Sequence, residues 1–145
     1  MYPVKAPYKI TSPFGAKRTL PNGYQDVHSG IDIVNVGHKD KTLIAVCDGV
    51  VIDDKDDYNP ALRWDLKAHN TVGNRFVVRS VITGKTVYWS LYHTATNTVK
   101  IGDRIAKGQV VGEYGDVGYS FGPHVHLQAW DSAWKIIDPG FLLTI

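Results

Sequence analysis

Phe76-Val77-Val78-Arg79-Ser80-Val81-Ile82, then Thr83-Gly84, then Thr86-Val87-Tyr88-Trp89-Ser90-Leu91-Tyr92-His93 is the stretch that decides the fold class. Two runs rich in β-branched and aromatic residues flank a Thr-Gly turn, the pattern of an antiparallel hairpin. The grain is the same in both directions along the chain. Downstream, Val99 to Gly112 reads as short strands stitched by glycines, His124 to Trp130 as a late strand, and Asp138-Pro139 as a stop. Upstream, Tyr8 to Ser12 alternates, residues 28–34 read as strand, and Thr42 to Ile52 is a strand broken by Asp48-Gly49. Residues 1–27 are rich in turn formers, Asn22-Gly23 the clearest. Residues 58–72 lack periodicity, with a helical turn or two expected over Ala61 to Ala68. No helical period of useful length occurs elsewhere, so the expected architecture is all-β, a compact single domain over residues 1–145 built from short antiparallel strands.

Bulk properties narrow the function classes. A chain of 145 residues can bury a proper core as one unit. Sixteen basic against 14 acidic residues give a net charge of +2, too little to imply nucleic acid. No run approaches the roughly 18–20 apolar residues of a membrane helix, so no membrane insertion is expected. Met1 to Pro7 lacks the apolar core of a signal peptide. The expectation is a protein made in the cytoplasm and later released, or a domain cut from a longer chain. Cys47 is the single cysteine, which excludes an internal disulfide and a thiolate zinc cluster; in its apolar run it reads as a buried small hydrophobe. Asp53-Asp54-Lys55-Asp56-Asp57 lacks the spacing and closing Glu of a calcium loop and is expected to be a solvated loop. His38 and His69 have no partner at ligand spacing and are expected at the surface.

Chemistry concentrates at three places. In Gly122-Pro123-His124-Val125-His126-Leu127-Gln128, strand alternation puts His124 and His126 on one face, roughly 7 Å apart, with Val125 and Leu127 on the other. Far upstream, His28-Ser29-Gly30-Ile31-Asp32 offers an imidazole and a carboxylate, with Gly30 permitting a turn or a close backbone approach. A catalytic zinc takes three ligands of this kind and keeps a fourth position open. His28, Asp32 and one of His124 or His126 would make that set, the other histidine remaining a free acid or base. Tyr92-His93-Thr94 supplies a further candidate.

Taken in order, these residues resemble the lysostaphin-type zinc endopeptidases, which cut peptide bonds in bacterial peptidoglycan. Thr11-Ser12-Pro13-Phe14-Gly15 with Arg18 resembles the family's opening, and His28-Ser29-Gly30-Ile31-Asp32 its His-x-Gly-x-Asp motif. Ala45 to Val51, Gly73-Asn74 and Val99 to Gly112 resemble its framework. Gly118-Tyr119-Ser120-Phe121-Gly122-Pro123-His124-Val125-His126 resembles its Gly-x-Ser-x-Gly-Pro-His-x-His signature. The resemblance implies antiparallel sheets with a substrate groove walled by loops. It makes His28, Asp32 and His126 the ligands of one Zn2+ ion, and His124 and His93 the unligated catalytic histidines. Such an ion lowers the pKa of bound water to about 7 and polarises the scissile carbonyl, while histidines move the protons.

Two departures, one further parallel and three rivals accompany the resemblance. The family's third locus has an aromatic residue, one further residue, then His and Leu, whereas Trp89-Ser90-Leu91-Tyr92-His93-Thr94 stands here, consistent with a slip of register. Residues 53–72 are long and acidic and are expected to form a groove loop. Tyr24 lies where some relatives place a tyrosine near the reacting carbonyl, and a packing aromatic in a turn is the alternative. The rivals are a non-catalytic wall-binding module of the same fold, a zinc amidase cutting the sugar–peptide bond, and a biotinyl-type carrier. The carrier is opposed by the lack of a Met-Lys-Met hairpin, Met1 being the one methionine. The helix-borne His-Glu-x-x-His of other metalloproteases is also missing. The expectation is a monomeric phage or prophage endolysin acting on the cell wall, its partner a peptidoglycan peptide.

Overall fold

The computed structural model describes residues 1–19, 22–59, 61, 72–118 and 122–145. The decisive stretch forms β7 (Asn74–Ile82) and β8 (Lys85–Asn97), paired antiparallel from Arg75↔Tyr92 to Ile82↔Lys85. Thr83 and Gly84 both take positive φ, 49° and 78°, as a two-residue hairpin turn matched to strand twist requires.

Around this hairpin a single antiparallel sheet runs in the order β1 (Tyr8–Ser12), β4 (Ile31–Asn35), β11 (Val125–Trp130), β8, β7, β6 (Gly49–Lys55), β9 (Arg104–Ile105). Off this path, β10 (Val110–Tyr114) pairs with β5 (Thr42–Ile44) and with the far end of β8, and β12 (Ile136–Ile137) pairs with β11. β2 (Lys17–Thr19) and β3 (Gln25–Val27) form a separate hairpin across the Asn22-Gly23 turn. A short helix, α1 (Gly140–Leu143), follows Asp138-Pro139. Among the described residues no helix is long and apolar enough to cross a membrane.

Strand alternation sorts the sheet into two faces. Ile33, Phe76, Val78, Trp89, Leu91 and Leu127 fall on one face and are fully buried in the core. The opposite face carries a cross-strand row, Ser12–Asp32–His126–Tyr92–Arg75–Lys55, fixed by the pairing registers of six strands. Apolar residues on one parity anchor the sheet and thereby aim polar residues of the other parity into one line.

Several expectations change. The strand expected from Thr42 to Ile52 is two strands, because the chain leaves the ladder at Ala45 to Asp48; Ala45 exchanges backbone hydrogen bonds with Gln109 and Gly108 there. The acidic run is not a solvated loop over its first half, since Asp53, Asp54 and Lys55 belong to β6. Their charge is met from neighbouring segments: Arg75 lies 3.3 Å from Asp53, Asn97 donates to Asp54 at 3.0 Å, and Lys100 reaches Asp56 at 3.0 Å. The groove loop expected over residues 53–72 therefore starts as strand, and residues 60 and 62–71 lie outside the described ones. The helical turn over Ala61 to Ala68 and His69 fall there too, apart from residue 61. His38 is half-buried, not free at the surface: the Tyr114 hydroxyl donates to its Nδ1 at 2.9 Å while accepting the Asn35 N–H. Cys47 is buried as expected.

Candidate metal centre

His28, Asp32 and His126 come together from three separate parts of the chain. Asp32 and His126 are cross-strand partners on β4 and β11, and His28 enters from the segment after β3, its N–H bonded to the Ala16 carbonyl at 2.8 Å. Gly30 makes the approach possible. A Cβ there would stand 2.3 Å from the Leu127 carbonyl oxygen and 2.5 Å from His126 Nε2, so this glycine serves a close backbone approach. All three gathered side chains are buried.

Their ligand atoms form a nearly equilateral triangle. His28 Nε2 lies 3.1 Å from Asp32 Oδ1 and 3.1 Å from His126 Nδ1, and His126 Nδ1 lies 3.0 Å from Asp32 Oδ1. The outward nitrogens fix the tautomers. His28 Nδ1–H donates to the Pro13 carbonyl at 3.0 Å, with the Ser12 hydroxyl at 3.1 Å from the same nitrogen. His126 Nε2–H donates to Gln128 Oε1 at 2.6 Å, an oxygen that also accepts the Ser29 hydroxyl at 3.0 Å. Both inward nitrogens therefore present lone pairs to a carboxylate oxygen, and three such atoms repel unless a positive charge lies between them. Tetrahedral zinc with bonds near 2.0–2.1 Å has ligand–ligand edges of about 3.3 Å, so the triangle fits the ion.

The surroundings tune this set. Burial opposes ionisation of Asp32, but without an ion between the three groups, hydrogen bonds donated by His126 and His28 outweigh it and hold the carboxyl below the usual carboxylate range. Arg18 stands 3.6 Å from Asp32 Oδ2 and 3.6 Å from Asp26, so the carboxylate turns one oxygen to the triangle and the other to a guanidinium. Tyr92 lies flat against His126, with centroids 5.0 Å apart and planes within 16°, and Arg75 sits 5.8 Å over the Tyr92 ring.

His124 and His93 flank the triangle without joining it. His124 Nδ1–H donates to the Gly122 carbonyl at 3.0 Å, leaving Nε2 3.6 Å from Asp32 Oδ1. His93 Nδ1–H donates to the Val117 carbonyl at 2.6 Å, and its ring centroid lies 4.8 Å from that of His124. Burial, with help from nearby His124 and His126, pushes the His93 pKa down to about 3. With Nδ1–H committed to a carbonyl in each ring, Nε2 is the acceptor of the neutral imidazole. The slip of register seen in the sequence has a counterpart at His93: Asn74 pairs with Thr94 and Arg75 with Tyr92, so His93 is an extra residue in a bulge, with φ of 66°.

The structure thus gathers all five residues singled out in the sequence. Tyr24 is 69% exposed in the β2–β3 turn, which excludes the packing role. Gln128 and Arg18 gained no role from sequence reasoning. The alternation His124-x-His126-x-Gln128 was the available signal for Gln128, since every second residue shares a face. Nothing in spacing pointed Arg18 at Asp32.

Comparison with known proteins gives the following likenesses. The pattern of Peptidase family M23 matches residues 26–139. A protein described as an uncharacterized metalloprotease of Buchnera aphidicola subsp. Baizongia pistaciae is 29% identical over 145 residues, 99% of this chain and 34% of its own length. The glycyl-glycine endopeptidase ALE-1 of Staphylococcus capitis is 47% identical over 43 residues, 30% of this chain and 12% of its own. The chain therefore spans about a third or less of these relatives. Among solved structures, the catalytic domain of the antimicrobial peptidase lysostaphin from Staphylococcus simulans superposes with a TM-score of 0.69 at 22% identity, covering 94% of this chain and 92% of that one.

Proposed function

Because the chain belongs to peptidase family M23, we propose that it is a zinc-dependent endopeptidase that opens peptide bonds in bacterial peptidoglycan, residues 1–145 forming one peptidase domain. The observation that carries this reading is the triangle of His28 Nε2, His126 Nδ1 and Asp32 Oδ1, whose tautomers are locked by Pro13 and Gln128 so that only acceptors face inward. Two neutral imidazoles and one carboxylate are the donor set of an open catalytic zinc site. The likeness to an antimicrobial peptidase and to a glycyl-glycine endopeptidase supports the wall peptide as substrate.

In this proposal His28, Asp32 and His126 hold one Zn2+, which when bound supplies Lewis acidity toward water and the scissile carbonyl. The remaining work belongs to the chain. Pro13 and Gln128 keep the two ligating nitrogens unprotonated, and Arg18 holds the outer oxygen of Asp32. His124 takes and returns the proton at Nε2, its ring held in place by the Nδ1–H bond to the Gly122 carbonyl. His93, held neutral by burial, accepts a hydrogen bond at Nε2 and orients the attacking water. The burial of His28, Asp32 and His126 limits competing solvent and strengthens these interactions.

Turbidity loss of a panel of purified peptidoglycans tests the proposal, using zinc-loaded protein, chelated protein and a His124→Ala variant. Chelator-sensitive lysis with new amino termini, absent in the variant, is the expected result, and the released termini identify the bond and the wall type. Binding without new termini would replace it with the non-catalytic module. Freed glycan with termini only at the first stem residue would replace it with the amidase. The setting we propose is phage- or prophage-encoded lysis, with the protein acting as a monomer at the wall.

A further inference from the structure

Four residues along the sheet from the metal centre, the same face ends in an aromatic cluster. Trp130 and Tyr88 are cross-strand partners on β11 and β8, and the register from His126↔Tyr92 to Trp130↔Tyr88 is unbroken. They therefore share the face of His126, at about 13 Å from it for a rise of roughly 3.3 Å per residue. Gln128 and Ser90, both buried, lie between. Trp134 folds back from the β11–β12 turn onto Tyr88, with centroids 3.7 Å apart and planes within 10°, and lies 5.6 Å from Trp130.

Burial accounts for only half of the Trp134 surface, and backbone preference opposes its placement. The residue is 49% exposed, and its φ is 61°, a left-handed conformation that a bulky residue rarely adopts. The turn that imposes it is pinned. Asp131 Oδ1 accepts the N–H groups of Ala133 and Lys135 at 2.9 Å, and the Asp131 carbonyl accepts the Trp134 N–H at 3.0 Å. The fold thus spends backbone strain to hold a flat apolar surface half in water, in line with the metal centre. Arg79, exposed on the same face and cross-strand to Tyr88, adds hydrogen-bond donors at the rim.

We propose that Trp134, backed by Tyr88 and Trp130, is a sugar-binding subsite that takes the pyranose face of an N-acetylated amino sugar in the glycan strand. This rests on the peptidoglycan reading above. An extended peptide advances about 3.3–3.6 Å per residue, so roughly four residues separate a bond at the metal from a group on the platform. The stem peptides of peptidoglycan are borne on sugars, and a stem of that length joins the two subsites on one substrate. A pyranose ring offers an apolar C–H face to the indole and hydroxyl and acyl oxygens to Arg79, which matches the mixed chemistry of the cluster.

Two measurements test the subsite. First, a soluble oligomer of β-1,4-linked N-acetylglucosamine is titrated into zinc-loaded protein while the indole N–H resonances are followed. Saturable shifts at Trp134 and Trp130 are expected, the Trp130 shift being lost in Trp134→Ala and retained in Trp134→Tyr, which keeps a flat ring. Second, cleavage is compared between a sugar-bearing muropeptide and the same peptide freed of sugar. Trp134→Ala should raise KM about tenfold on the first with kcat unchanged, a loss of uniform binding, and leave the second unaltered. Absent indole shifts, or an equal KM rise on both substrates, would overturn the proposal, the latter placing an apolar peptide side chain on the platform. The titration needs no catalysis, so an enzyme that binds the oligomer but yields no new amino termini refutes the proposed activity and not the subsite.

Discussion

Replacing Gln128 by Met removes a side chain bonded to the outward nitrogen of His126 and to none of the three ligand atoms, and the structure predicts a large loss of zinc affinity. His126 Nε2–H donates to Gln128 Oε1 at 2.6 Å, and Gln128 is only 3% exposed, so water cannot take over the acceptor's place cheaply. In Gln128→Met the ligating tautomer of His126 leaves a buried N–H unsatisfied, at a cost of about 1–3 kcal/mol. The other tautomer puts the proton on Nδ1 and withdraws that nitrogen from the triangle. Either way the binding free energy falls by that amount, which corresponds to roughly 10–100-fold in zinc affinity. Ser29 loses the same oxygen but is only half-buried and can be hydrated. Competition against a chromophoric chelator at neutral pH measures the effect. Gln128→Glu, which keeps the acceptor and adds negative charge, should bind zinc at least as tightly as wild type. A Gln128→Met protein that binds zinc like wild type would refute the argument that the outward hydrogen bond sets the ligand.

Three further outcomes are expected. Gly30→Ala drives a Cβ to 2.3 Å from the Leu127 carbonyl and 2.5 Å from the His126 ring, so it should destabilise the fold by about 1–3 kcal/mol or more and lower zinc content, read by thermal melting and metal analysis. His28→Ala, Asp32→Ala and His126→Ala should each lose zinc, whereas His124→Ala should keep it and lose turnover; zinc loss in His124→Ala would exchange the roles assigned to His124 and His126. For chelated protein, the His93 pKa lies at about 3 in the fold against 6.5 for free histidine, so the unfolded chain binds the extra proton between those values. Stability should fall as pH drops from about 6.5 toward 3, on the order of a few kcal/mol, and the depressed Asp32 pKa adds a further loss below the ordinary Asp range near pH 4. Denaturant melts across that range check this, and His93→Phe should flatten the upper part of the slope.

What was legible in the sequence is what period-2 alternation encodes. The Phe76 to His93 hairpin, the strand at Tyr8 to Ser12 and the shared face of His124 and His126 follow from local pattern, and pairing registers then carry Asp32 beside His126. Two features escaped because they depend on partners distant in sequence. The acidic residues after Ile52 look like solvated loop until Arg75, Asn97 and Lys100 are brought to them by β7, β8 and the turn beyond. His38 looks isolated until Tyr114 arrives from β10. Locally polar segments join a sheet when the neighbouring chain supplies opposite charge, and no window of the sequence contains that information.

His93 shows the limit most sharply. Strict alternation along β8 from Val87, Trp89 and Leu91, all buried, would send His93 into the core with them. The bulge between Tyr92 and Thr94 breaks that parity, and the left-handed φ of 66° turns the ring toward His124. Histidine is among the residues enriched in this conformation, so the strain is smaller than a β-branched residue would bear. The same bulge lies where β8 stops pairing with β11 and begins pairing with β10, through Thr94↔Tyr114. Tyr114 is fully buried, so this turn of the strand is also what closes the core beneath the site. The placement of His93 beside His124 and the closure of the fold are therefore one structural event. A regular β8 would lose both, and for that reason the departure in the Tyr92-His93-Thr94 motif is compatible with a complete site.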